Sequence, residues 1–141
     1  MTTYSLPILL DTCAAIWTTE GEAISKSAAL AIEETTDTGQ PILVSPISAW
    51  ERGMLVSLGR LTSALQPKTW FERLLSNPIV ELSPMTIEIL TDCSFLPGSI
   101  HRDPADRIII ATARAHNLTI MTRDRKILAY ADAGHVNAIA C

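Results

Sequence analysis

Hydrophobic positions alternate along this chain between short continuous runs and stretches with a helical period. Tyr4 to Leu10 is an apolar run closed by Asp11 and reads as a first strand. Gly21 to Glu34 places Ile24, Ala28, Ala31 and Ile32 at helical spacing, which predicts a helix with one apolar face. Gly39 and Pro41 punctuate the chain before a short second strand, Ile42–Val44. Ser45-Pro46 supplies an N-cap and a proline at the first helical position, so a helix runs from there to Leu58. Pro67 opens another helix, in which Trp70 and Leu74, and Phe71 and Leu75, stand four apart. Ile79 to Leu82 is a third strand, and Ser83-Pro84 repeats the cap-plus-proline device ahead of a helix to Cys93. A loop with Pro97 and Gly98 leads to His101. Asp103-Pro104 starts a long helix to His116, followed by a buried strand at Leu118 to Met121. A short helix, Arg125 to Ala131, and a last strand, Val136 to Ile139, complete the pattern.

Short strands alternating with helices argue for an α/β domain with a parallel sheet. No repeat, low-complexity tract or linker divides the 141 residues, so a single domain over 1–141 is expected. The 48% hydrophobic content suffices for a continuous core. No stretch approaches the roughly 18 apolar residues of a membrane span. The first ten residues lack the basic start and long apolar run of a signal peptide. Cys13, Cys93 and Cys141 are odd in number and far apart. Free thiols in a reducing cytoplasm fit them better than a disulfide framework or a zinc site.

Net charge is -4 at pH 7, which by itself does not suggest a polyanion binder. The distribution changes that picture. Residues 1–100 balance to -6, whereas residues 101–141 balance to +2. Arg102, Arg107, Arg123 and Arg125 fall in the second part and are candidates to grip phosphates, set against ordinary solvated surface positions.

Several carboxylates stand where a structural role alone is a poor account. Asp11 directly follows the first strand, and ligands of parallel sheets bind beyond strand carboxyl ends; a helix N-cap is the alternative. Glu51 lies four residues from both Ile47 and Leu55, on a stripe with Trp50, Met54 and Leu58 that predicts burial. A buried acid is ordinarily paired or bound to metal. Asp103 before Pro104 is first of all an N-cap. Asp106 suits the helix dipole, but Ile109, Ile110 and Ala113 turn it toward the core. Asp124 follows a buried strand with Thr122 on the same side, as a cap or as a ligand. In a parallel sheet Asp11, Glu51, Asp106 and Asp124 can converge at one edge. Their repulsion calls for cations, and hard oxygen donors select Mg2+ or Mn2+. That combination points to phosphoryl chemistry by metal-activated water.

At these residues the chain resembles a known family. The segment LPGSIHRDPADRIIIATARAHNLTIMTRD (Leu96 to Asp124) is similar to the C-terminal half of PIN-domain ribonucleases, in particular VapC-type toxins of toxin–antitoxin pairs. LPILLDTCA with Asp11, SPISAWERGML with Glu51 and a closing RKILAY fit in order, so the resemblance covers nearly the whole chain. It implies a three-layer α/β/α fold with a central parallel sheet of about five strands, and Mg2+- or Mn2+-dependent cleavage of RNA. Asp11, Glu51 and Asp106 match the first three acids of the family cluster, Asp124 the more variable fourth, and Thr122 a hydroxyl position near the metal. Asp103 belongs to the DPxDR motif. A VapB-type antitoxin and a homodimer are the implied partners. From the residues themselves, the apolar groups around Trp17, Trp70 and Phe71 exceed what a small core must hide, with core packing the first role for most of them and partner contact the other.

The alternative within the same fold is a catalytically silent, partner-binding module. A phosphoacceptor signalling domain, which also uses strand-end acids and Mg2+, fits less well: the adjacent acidic pair and late lysine it needs are not evident. His101, His116 and His135 form no spaced set, so neither a general-base nor a zinc role is assigned to them.

Overall fold

The computed structural model describes residues 7–21, 23–62 and 65–141. The element order is β1 (Ile8–Leu10), α1 (Thr12–Thr19), α2 (Lys26–Asp37), β2 (Ile42–Val44), α3 (Ile47–Ser57), α4 (Pro67–Ser76) and β3 (Val80–Leu82). Then follow α5 (Ile87–Asp92), α6 (Pro104–His116), β4 (Thr119–Thr122), α7 (Arg125–Asp132) and β5 (Asn137–Ala140). The five strands form one sheet in the order β3-β2-β1-β4-β5, and every neighbouring pair is parallel.

β1 is fully buried and its side chains alternate between two cores. Ile8 and Leu10 join Ile42, Val44 and Met121 under α1, α2 and α4, through Ala14, Ala28, Ala31, Trp70 and Leu74. Leu9 and Ile120 face the other way, against Ile109, Ile110 and Ala113 of α6 and Ile127 and Tyr130 of α7. Ile89 of α5 packs on Ile108 and Ala111 of α6. Both sheet faces are covered, which is why the strands read as continuous apolar runs. This is the three-layer architecture expected from the sequence. The chain winds outward in opposite directions from β1, so the carboxyl ends of β1 and β4 border a switch-point crevice.

Three expectations need correction. The helix expected from Gly21 to Glu34 is α2, which starts only at Lys26 after the Ser25 cap and runs on to Asp37. An unanticipated helix, α1, precedes it and ends before Gly21, which is left-handed (φ 74°). α1 escapes a periodicity reading because TCAAIWTT is apolar on most of its circumference. α5 begins after Thr86, whose hydroxyl accepts the amide of Ile89 at 3.2 Å, and not at Ser83-Pro84. The expected buried stripe of α3 is rotated. Ser48 and Arg52 point inward, while Trp50, Met54 and Leu58 are exposed. Arg52 takes the interior position because its charge is answered there. Nη2 donates to Glu20 Oε1 at 3.2 Å, and the guanidinium lies 4.3 Å from the Trp70 ring centre. The part of the first expected strand before Pro7 lies outside the described residues.

Candidate active site

Asp11 is the first residue past β1 and the N-cap of α1. Its Oδ1 accepts the Ala14 amide at 2.7 Å, and its Oδ2 accepts the Thr122 hydroxyl from the end of β4. Thr122 Oγ1 in turn accepts the Asp124 amide at 2.9 Å. Two adjacent strand ends are thus tied through one threonine. Asp124 caps α7, accepting the amides of Lys126 at 2.7 Å and Ile127 at 3.1 Å. Asp103 caps α6 by accepting the Asp106 amide at 3.0 Å, and Pro104 occupies the first helical position, where no amide is needed. Capping therefore fixes three of these carboxylates, and helix starts favour negative charge. Glu51 reaches the same place from α3, hydrogen-bonded to Thr12, whose hydroxyl also meets Ser48 Oγ at 2.9 Å.

Asp11, Glu51, Asp103, Asp106 and Asp124 line one cavity of about 340 Å³, together with Cys13, Trp17 and Arg123. Every acid singled out in the sequence is there, Glu51 only half-buried. Asp11 is 4% exposed, and burial pushes its carboxyl up to about 6. The Thr122 and Ala14 hydrogen bonds oppose that rise, and the charges of Glu51 and Asp124 add to it. Burial also raises Asp106, to about 7. The His101 hydrogen bond acts against this rise, and Asp103, Glu51 and Asp124 reinforce it. Glu51 is raised by burial and by Asp103, against its bond to Thr12.

Ligand atoms of Glu51, Asp103 and Asp106 lie within 4.8 Å of one another, as do those of His101, Asp106 and Asp124. A set of hard oxygen donors, several of them raised by burial and by like charge, suits a small divalent cation such as Mg2+ or Mn2+. Cys13, next to the acids, is pushed up to about 12 by burial and the surrounding carboxylates, so it stays a neutral thiol.

Sequence reasoning missed His101. Its Nε2 lies 2.6 Å from Asp106 Oδ2. The loop that delivers it is held by Arg107, which donates to the carbonyls of Cys93 (2.8 Å), Ile100 (3.3 Å), His101 (3.2 Å) and Ser94 (3.5 Å). The signal was the spacing of His101 five residues before Asp106, across a cap that turns the chain back. Arg107, expected to face RNA, has its guanidinium occupied by these carbonyls. Arg123 donates to the Ala23 carbonyl at 2.6 Å and lies 4.0 Å from the Trp17 ring centre, at the rim of the cavity. Arg102 and Arg125 are exposed.

Comparison with known proteins follows the same outline. Residues 8–133 match the PIN domain family. Ribonuclease VapC22 of Mycobacterium tuberculosis is 31% identical over 121 residues, 85% of this chain and 88% of that protein. Among solved structures, VapBC2 from Rickettsia felis, bound to a DNA fragment from their promoter, contains a chain that superposes with a TM-score of 0.67 at 16% identity. The match covers 96% of this chain and 99% of that one. FitAcB from Neisseria gonorrhoeae gives a TM-score of 0.55 at 21% identity, covering 94% and 96%. With the strand order, the acidic cavity and these matches in agreement, the chain belongs to the PIN-domain family and, within it, to the VapC type.

Proposed function

We propose that this chain, folding as a single PIN domain, is the toxin of a type II toxin–antitoxin pair, a Mg2+- or Mn2+-dependent endoribonuclease. The observation that carries the reading is the cavity of five carboxylates at the ends of β1 and β4, two of them pushed up to about 6 and about 7. Asp11 and Asp106 would hold the ion directly or through water, with Glu51 and Asp124 completing its shell. The ion would supply neutralising charge and an activated water for in-line attack on phosphorus. Thr122 and the Ala14 amide keep the Asp11 carboxylate in one orientation. His101 does the same for Asp106. Glu51 and Asp124 orient the attacking water, and Asp103 stands at the exposed rim. Cleavage leaves 5′-phosphate and 3′-hydroxyl ends. Arg102, Arg123 and Arg125 would meet flanking phosphates, a role supported by the exposure of all three and by the place of Arg123 at the cavity. The name of the M. tuberculosis relative, a ribonuclease, supports RNA as substrate.

A VapB-type antitoxin is the partner this reading calls for. A homodimer is supported by large apolar side chains left in water: Trp50 and Met54 on α3 and Leu58 just past its end, with Ile87, Leu90 and Phe95 on and beyond α5. Among the described residues no helix is long and apolar enough to cross a membrane, and the reading places the protein in the cytoplasm.

The test is incubation of purified protein with total RNA and transfer RNA in Mg2+ or Mn2+. Controls are EDTA and the Asp11→Asn and Asp106→Asn variants. Cuts that vanish in every control are expected. A folded, metal-loaded protein that leaves all RNAs intact would shift the reading to the silent, partner-binding module.

A further inference from the structure

A second cavity of about 450 Å³ adjoins the acidic one. A single imidazole joins them: His101 lines this cavity while its Nε2 meets Asp106 of the other. A second link runs through α7, where the Lys126 amide donates to Asp124 and Lys126 itself lines the cavity. Both walls therefore begin at carboxylates of the acidic site.

The lining differs in kind from its neighbour. Ser99, Ile100, His101, Lys126, Tyr130 and His135 supply a hydroxyl, an apolar side chain, an ammonium and three rings. No acid is among the described residues that line it. The walls are also built in place. Tyr130 donates to the Pro97 carbonyl, and its ring centre lies 4.7 Å from that of His135. Gly98 has φ 70°, and a Cβ there would fall 2.5 Å from His135 Nε2, so the loop can close on the imidazole only without a side chain. Nδ1 of His101 is buried with no hydrogen-bond partner among the described residues.

A strand whose scissile phosphate sits among carboxylates carries further phosphates that those acids repel. It needs a cationic, ring-lined place beside them, and the volume falls in the range of small-ligand sites. We infer that this cavity is a nucleotide subsite. It takes the base of one RNA residue next to the scissile bond against the imidazoles of His101 and His135, and that residue's phosphate at Lys126. The inference rests on the ribonuclease reading.

The test first maps the cut made by the parent protein in a short single-stranded RNA. Binding of the labelled RNA is then measured in the Asp11→Asn background with Mg2+. Ala129→Trp, at an exposed α7 position lining the cavity, should weaken binding about tenfold. Lys126→Ala should lower the salt dependence by about one ion. An abasic ribose on one side of the cut should weaken the parent equally and add nothing to Ala129→Trp. Mn2+ titration calorimetry on Ala129→Trp in the otherwise unaltered protein should match the parent, showing intact acids. If RNA is cut but both variants bind and cut like the parent, the subsite is overturned and the nuclease reading stands. If the parent cuts no RNA, both fall together.

Discussion

Two charged side chains of this protein are almost equally hidden from water, and their surroundings are opposite. Arg52 is 1% exposed and Asp11 4%. Arg52 meets a carboxylate of its own chain and the face of Trp70. Asp11 receives two hydrogen bonds, yet the nearby charges acting on it, Glu51 and Asp124, share its sign. A buried charge must be answered from somewhere. Arg52 is answered within the fold, whereas the carboxylates are answered in part and left to a ligand. That difference separates a structural charge from a functional one more sharply than burial does.

The comparison breaks first at the acids. Asp11→Asn or Asp106→Asn should lower RNA cleavage by about 10³-fold, on the scale of losing one key electrostatic group from a site. Asp106→Asn should also raise the melting temperature in EDTA, because it removes a charge from among Asp103, Glu51 and Asp124. A lower melting temperature there would place Asp106 with Arg52, as a structural charge.

Arg52→Ala should have the reverse profile. Removing this fully buried side chain leaves a cavity and strips contacts from Trp70, at a cost of about 3 kcal/mol read from urea unfolding, while the folded fraction keeps its Mn2+ affinity. Arg52→Met should cost less, since its side chain refills most of the space that alanine leaves empty.

The pH dependence sharpens the contrast. Asp11 titrates near 6 when folded against an ordinary 3.8, so the folded state holds its proton more firmly. Between those values the metal-free protein binds more protons folded than unfolded, and stability falls as pH rises. Asp11 contributes up to about 3 kcal/mol of this loss, and the rise of Asp106 to about 7 extends the window upward. Urea midpoints from pH 4 to 7.5 should decline in EDTA, and the slope should flatten in saturating Mg2+. Equal slopes would show that no ion answers these charges.

The smallest effect falls on the link between strands. Thr122→Val removes the donor to Asp11 and the acceptor for the Asp124 amide. It should cost about 1–2 kcal/mol in thermal melts and weaken Mn2+ binding in calorimetry.

Much of this layout is legible in the residues because it is local. Apolar runs mark strands, and Asp103-Pro104 marks a helix start whatever the tertiary fold. Asp11 and Asp124 stand just past strands, and a parallel sheet brings such ends together. The rest depends on partners distant in sequence. Arg52 faces inward because Glu20 and Trp70 await it 32 and 18 residues away, and that turns Trp50, Met54 and Leu58 outward. Periodicity alone assigns those three to the core. α1 is hidden by the near-uniform apolarity of its sequence. His101 depends on a loop folding back over the cap of α6, a path set by Arg107.

Asp106 and Arg107 are consecutive residues on the first turn of α6, and Arg107 grips carbonyls from Cys93 to His101. The loop and the carboxylate are therefore one mechanical part. A recombinant exchange of this loop between relatives can succeed only if the incoming backbone offers carbonyls at the same points. An exchange that does not would unseat the acid as well as alter the groove. Variation in substrate choice is then expected in the side chains this loop displays, with its path conserved by the arginine at its base.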